Sequence, residues 1–382
     1  MAALQNDLAQ LIQAQGEQGP FVSIFMKVSP YERDIAEDKA TFRNLVQQAK
    51  KTFISRFTEK AWASYHEQFT NVLQQQRALG NNGAASIVVV VGQADTFIYP
   101  LAQEVANSAH VGDTVYALPL IANDQFSWDY HLLKVSQDSI ALWDVTEGVA
   151  TPVELPAEAP TTRAQALGTE LTNGKTRTTR TGLGAGQAVH GNDPKEASQA
   201  SDTQNYFKQV DDYVLANYSK TTQKPLVLLA VSENQAVFRK LSKNKYLLKN
   251  TELSKVPAKL DRQTVAQIVA QINQQLAAEV LAVLQNEVDR ARSAKKYISD
   301  FGAITQRVTE GNVDTLFIAA DAYVAGRLVA GELDTSSTAA KATNLLNELS
   351  VEVLQLGGQV YVLPESELQA DATAILRRPD QE

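Results

Sequence analysis

The sequence predicts an α/β protein of three domains. Two observations carry the class: apolar runs of strand length recur along the chain, and segments with helical apolar spacing alternate with them. The division follows from length, because 382 residues exceed what one core usually serves.

Residues 1–16 pattern as a short helix, with Leu4, Leu8, Leu11 and Ile12 on one face and Gly16 as its stop. After Gly19-Pro20, residues 21–28 (FVSIFMKV) read as a buried strand closed by Ser29-Pro30. Two helices follow. The first, 38–57, carries Phe42, Leu45, Val46, Ala49, Phe53 and Phe57; the second, 59–79, carries Trp62, Tyr65, Phe69, Val72 and Leu73. Residues 86–91 (SIVVVV) are apolar enough for a central strand of a parallel sheet. Residues 96–101 read as another strand and 115–120 as the way out, which sets an N-terminal α/β domain at 1–122.

The middle domain, 125–255, opens with a hairpin: strands 131–136 and 139–145 around Gln137-Asp138. A third strand is expected at 151–155, an amphipathic helix at 204–218, a central strand at 225–231 and a helix at 234–241. The C-terminal domain, 259–382, is led by one long helix through 259–297 that straps the second domain to the third. A buried strand at 313–319, a helix at 339–356, a closing strand at 359–363 and an edge strand at 374–376 complete it.

Composition narrows the function. With no cysteine the chain has no disulfide, thiol chemistry or Cys-ligated zinc. Its four histidines are scattered, so no metal site is expected, and nothing calls for a cofactor. No apolar run approaches a membrane span, and the polar amphipathic N-terminus is unlike a signal peptide, so the cytoplasm is the expected location, without membrane contact. A formal charge of -8 argues against broad wrapping of nucleic acid; any such contact must be local.

One stretch is locally basic. Gly168 to Gly191 lies within a loop of 161–191, holds six glycines and lacks either apolar periodicity, so it reads as a long mobile loop. Lys175, Arg177 and Arg180 face only Glu170 inside it, which points to an anionic partner such as a phosphate backbone. Gly168 through Thr176 is not a P-loop: five residues separate the first glycine from Gly174-Lys175-Thr176, where the phosphate cradle needs four. Gly184-Ala185-Gly186-Gln187 offers two glycines for close backbone approach and an amide that can hold a water. It reads either as a water-positioning device or as a flexible loop with a surface glutamine. A second candidate, Gly357-Gly358-Gln359, joins a helix end to a buried strand and reads as a helix stop. No Ser-His-Asp arrangement stands out, and no acid–base pair supports a small-molecule enzyme.

Taken in order, several segments together resemble the bacterial archaeo-eukaryotic release factor-like family, bacterial relatives of peptide release factor subunit one and Pelota. They are residues 21–25, 131–136 with 140–143, 205–207 through 225–228, 313–316, 357–361 and 374–377. The resemblance implies an α/β N-terminal domain, an RNase H-like middle domain and an L7Ae-like C-terminal α/β domain. It implies a ribosome, structured RNA or tRNA as partner, a protein partner through the C-terminal domain, and a role in translation quality control or stress response. In release factors the middle-domain loop carries Gly-Gly-Gln; here that place is taken by Ala185-Gly186-Gln187, which makes Gly186 and Gln187 the candidate catalytic residues for peptidyl-tRNA hydrolysis. A non-catalytic binding module is the alternative. No stop-codon reader is matched in residues 1–122, and the oligomeric state is left open.

Overall fold

The computed structural model describes Ile12 and residues 19–29, 35–75, 84–101, 104–125, 128–146, 148–168, 194–249, 251, 253, 255–257, 259–329, 331–368 and 370–379. The expected helix at 1–16 therefore lies, Ile12 excepted, outside the described residues. Residues 1–127 and 277–382 make one compact unit, and 128–276 the other.

In the first unit, β1 (Phe21–Lys27) is followed by α1 (Ile35–Arg56) and α2 (Glu59–Gln74), then by β2 (Ser86–Val91), β3 (Thr96–Leu101), β4 (Ser108–Gly112) and α3 (Leu118–Gln125). The sheet order is β3-β2-β1-β4, and every pairing is antiparallel. The parallel sheet expected around residues 86–91 is thus not what forms. Period-two alternation sends Ile87, Val89 and Val91 to one face, against Phe42, Phe53, Trp62 and Phe69 of α1 and α2. Val88 and Val90 go to the other face, against Leu345, Leu346 and Leu349. An unbroken apolar run reports a strand covered on both faces, and here the cover comes from two separate parts of the chain. The start of α2 is fixed by Thr58, whose hydroxyl accepts the Ala61 N–H at 3.3 Å.

The second unit begins with β5 (Tyr130–Val135), β6 (Ile140–Thr146) and β7 (Val149–Pro152), a meander of antiparallel pairs. The third strand forms two residues earlier than expected, leaving Pro152 at the end of an edge strand where its missing N–H costs no ladder bond. Next come α4 (Arg163–Leu167), α5 (Pro194–Val214) with a wider turn at Leu215–Ser219, β8 (Leu226–Leu229), α6 (Ser232–Leu241) and α7 (Arg262–Ser293). The order is β7-β6-β5-β8, with β8 parallel to β5. One face is covered by Tyr206, Phe207, Val210 and Phe238 from α5 and α6. The other is covered by Val265, Ile268, Val269 and Ile272 from the first half of α7.

The second half of α7 belongs to the first unit, where Leu284 and Ala291 pack with Phe317 and Ile375. The chain continues through β9 (Tyr297–Ile298), α8 (Phe301–Thr309), β10 (Val313–Ala319), the hairpin β11 (Arg327–Val329) and β12 (Glu332–Asp334), α9 (Leu345–Gln355), β13 (Gln359–Leu363) and β14 (Ala372–Leu376). The sheet order is β13-β10-β14-β9. Two expectations are corrected. The helix expected over 339–356 is interrupted, because Asn344 takes an extended conformation and its Oδ1 caps a new helix at the Leu346 N–H, 3.2 Å away. The expected edge strand at 374–376 is internal: all five residues of β14 are buried between β10 and β9.

Candidate functional site

The candidate residues Lys175, Arg177, Arg180, Gly186 and Gln187 lie outside the described residues, so the structure brings none of them to a stated place. It shows the frame that holds both ends of their segment. At the entry, Thr162 caps α4 by accepting the Gln165 N–H at 3.2 Å, and Leu167 is buried in the middle core. Arg163 pairs with Asp138 of the β5–β6 turn at 2.9 Å, and Ile140 N–H donates to Thr161 at 3.0 Å. Tyr206 of α5 donates its hydroxyl to the carbonyls of Pro160 (3.2 Å) and Thr161 (3.3 Å). Burial raises the Tyr206 phenol well above its ordinary value, so it stays a donor at any physiological pH. The α5 helix that leaves the segment is thereby tied to the connector that enters it. Gly168 sits at φ 50, in the left-handed region, with open space around it. The α4 helix ends there because few other residues adopt that backbone.

The middle unit also contains a cluster that mimics a nucleophilic triad. His131, 2 % exposed, places Nε2 3.0 Å from Thr222 Oγ1 and Nδ1 3.5 Å from Asp144 Oδ1. Lys224 Nζ sits 2.6 Å from the same carboxylate oxygen and 2.8 Å from Thr146 Oγ1. His131 and Asp144 face each other across the β5–β6 hairpin, and sequence separation hid only Thr222 and Lys224, which come from the approach to β8. The threonine hydroxyl is held by neighbouring backbone groups. Thr222 donates its proton to the Tyr218 carbonyl at 3.0 Å and accepts the Lys224 N–H at 3.3 Å. The imidazole therefore shares the Thr222 oxygen with a carbonyl and an N–H that already hold it. Burial depresses the imidazole pKa, with Asp144 opposing and Lys224 assisting, so the neutral ring is favoured. The cluster clips the end of the helical segment to the sheet.

Gly357-Gly358-Gln359 is the helix stop that the sequence suggests. Gly358 N–H donates to Val353 O at 2.8 Å and Gly357 N–H to Leu354 O at 3.1 Å, the paired bonds of a left-handed helix end, with Gly357 at φ 74. A Cβ on Gly358 would meet Val353 Cγ1 at 2.6 Å. Gln359 is exposed on β13, where its Oε1 accepts the Tyr361 hydroxyl at 3.1 Å.

A cavity of about 460 Å³ lies between the second half of α7 and the C-terminal sheet. Its charged lining residues are Arg292 and Glu367, and it offers no histidine or carboxylate pair for acid–base work. Among the described residues, no three His, Asp or Glu side chains gather to hold a metal ion, and no helix is long and apolar enough to cross a membrane.

The unit built from β5 to the first half of α7 coincides with a sequence match. Residues 128–275 match the model of bacterial archaeo-eukaryotic release factor family 6. The middle unit is of the bacterial archaeo-eukaryotic release factor-like family. No curated protein matches the chain. Solved structures align with this chain over much of its length at low identity. An archaeal translation termination factor, aRF1, is 13% identical over 98% of this chain and 97% of its own, with a TM-score of 0.25. Archaeoglobus fulgidus Pelota is 10% identical over 78% and 80%, at 0.36. S. cerevisiae Dom34, a translation termination-like factor involved in RNA quality control pathways and interacting with Hbs1, is 11% identical over 76% and 75%, at 0.37. Overlays this loose carry no assignment of role. The family match, in contrast, spans the clip at His131, the frame around Thr162 and Tyr206, and the whole of the basic segment.

Proposed function

We propose that this protein is a cytoplasmic translation factor that binds the ribosome, or structured RNA or tRNA, through the segment between Gly168 and α5. Lys175, Arg177 and Arg180 meet phosphates there, and Gln187 beside Gly186 orders a water for hydrolysis of a peptidyl-tRNA ester. The observation that carries the reading is the family match over the unit that bears this segment. The antiparallel meander β7-β6-β5 with a parallel β8 supports an RNase H-like core for that unit. The C-terminal sheet between helices supports an L7Ae-like domain that docks a protein partner, in quality control or stress response.

Ribosome sedimentation of tagged protein across a salt series tests the binding step. Replacing Arg177 and Arg180 by Ala should weaken association and flatten the log-affinity slope by about two units if each contacts one phosphate. An unchanged slope would move the surface elsewhere. Ala185, in place of the first glycine, favours a second reading: a module that occupies a ribosomal site without hydrolysing anything.

A further inference from the structure

The outer end of the middle unit carries a charge pattern that neither the fold nor the loop accounts for. Residues 239–249 (RKLSKNKYLLK) contain five basic residues and no acid, in a chain of formal charge -8. Lys240, Lys243, Lys245 and Lys249 are exposed, and none of them pairs with a described carboxylate. The backbone beneath them is fixed. Asp211, buried on α5, spends one oxygen on the Ser242 hydroxyl at 2.5 Å and the other on the Lys243 N–H at 2.7 Å. Buried Asn244 donates to Ser219 Oγ at 2.9 Å and accepts the Tyr246 N–H at 3.0 Å. Arg239 reaches across to the carbonyls of Leu248 at 2.5 Å and Thr251 at 2.8 Å. Beyond β8, Tyr246 O and Leu248 N–H bond to Leu226, so the segment runs along the outer side of that strand.

We infer that this edge is a phosphate-binding surface for the backbone of RNA, separate from the 169–193 segment. Four ammonium groups on one fixed stretch repel one another, and the acid beneath them is turned inward and saturated. A polyanion relieves that repulsion and releases its own counterions. The half-buried Tyr246 ring, with Lys245 Nζ 5.1 Å from its centroid, adds a flat apolar surface among the charges. Lysine on a strand edge also blocks edge-to-edge pairing. That role does not extend to Lys240 and Lys243, which precede the stretch running along β8. The inference rests on the reading of an RNA partner, not on the loop.

The test is titration of a fluorescent RNA hairpin with full-length protein at several salt concentrations. The variant is K240Q/K243Q/K245Q/K249Q, checked for an unchanged melting curve. The control is K51Q/K60Q/K208Q/K341Q, which removes the same charge from exposed lysines elsewhere. The expected result is at least tenfold weaker binding by the edge variant at about 0.1 M salt, and a slope lower by about 0.9 for each duplex phosphate that is no longer neutralised. The control should bind like wild type. Equal weakening by the control, an unchanged slope in the edge variant, or no RNA binding by wild type would each overturn the inference. So would lysine-dependent capture of anionic vesicles in place of RNA. If R177A/R180A binds normally while the edge variant does not, the loop reading fails and this one stands.

Discussion

Asn347 clamps the backbone on either side of Tyr116: its Oδ1 accepts the Ala117 N–H at 2.7 Å, and its Nδ2 donates to the Val115 carbonyl at 3.0 Å. Asn347 and Ala117 are 230 residues apart, and Asn347 is 3 % exposed. Beside it Thr114 donates to Glu348 at 2.8 Å, and the Gln125 amide pairs with both backbone groups of Val362. These contacts join the first sheet to the third. Asn347→Ala leaves a buried N–H and a buried C=O without partners, each costing about 1–3 kcal/mol. Urea unfolding of the whole chain should show a loss of roughly 2–6 kcal/mol, with probes in residues 21–121 and 313–376 shifting together. A shift confined to one of the two would refute the shared core.

Gly357 and Gly358 should respond to alanine for different reasons. At Gly357 the added Cβ meets nothing within 4 Å but the backbone is left-handed, which costs about 1 kcal/mol. At Gly358 the Cβ collides with Val353 and approaches Asp314 O at 3.0 Å, and overpacking of this kind costs about 1–3 kcal/mol. Gln359→Ala should leave both stability and any activity nearly unchanged. Loss of activity in a normally folded Gln359→Ala protein would restore it as a functional glutamine.

His110 makes stability fall in acid. Its ring stacks on Tyr116 at 3.6 Å between centroids, and burial lowers its pKa to about 4. In the unfolded chain the ring protonates near 6.5, so the unfolded state binds the extra proton between the two values. The native state keeps its full stability above about pH 6.5 and loses about 3 kcal/mol as pH falls to about 4. Glu348, raised by burial, acts with the opposite sign and regains stability as pH falls. On acidification wild type should therefore lose about 3 kcal/mol that His110→Phe does not lose. Parallel curves between about pH 7 and about pH 4 would show that His110 charges freely in the fold.

If peptidyl-tRNA is the substrate, Gln187 acts by position, because an amide is no base near neutral pH. Gln187→Ala should keep ribosome binding and reduce release of labelled peptide from stalled complexes by a factor of about 10–1,000. Ala185→Gly should preserve or raise release, since it restores the double glycine. Wild type that binds and releases nothing above a no-protein control would leave only the binding module.

Much of the fold was legible in the sequence. Helical spacing placed Phe42 to Phe53 and Trp62 to Val72, and the runs at 313–319 and 359–363 became strands with those limits. The stop at Gly357-Gly358 was readable because a helix end followed by a buried strand needs that backbone. Local chemistry decides such features, and the sequence holds it. Pairing partners are another matter. Whether Ser86–Val91 lies in a parallel or antiparallel sheet depends on which strands arrive beside it, and β14 is internal only because β9 pairs along its outer edge. His131 faces Asp144 across the hairpin that the sequence already shows, but Thr222 reaches His131, and Asn347 reaches Ala117, across long stretches of chain that leave no spacing to read. The sequence alone determined most of the long elements, the stop at Gly357-Gly358 and the basic segment. Tertiary structure alone decided that the first and third sheets share one core, because apolar faces from distant parts of the chain are buried only by meeting each other.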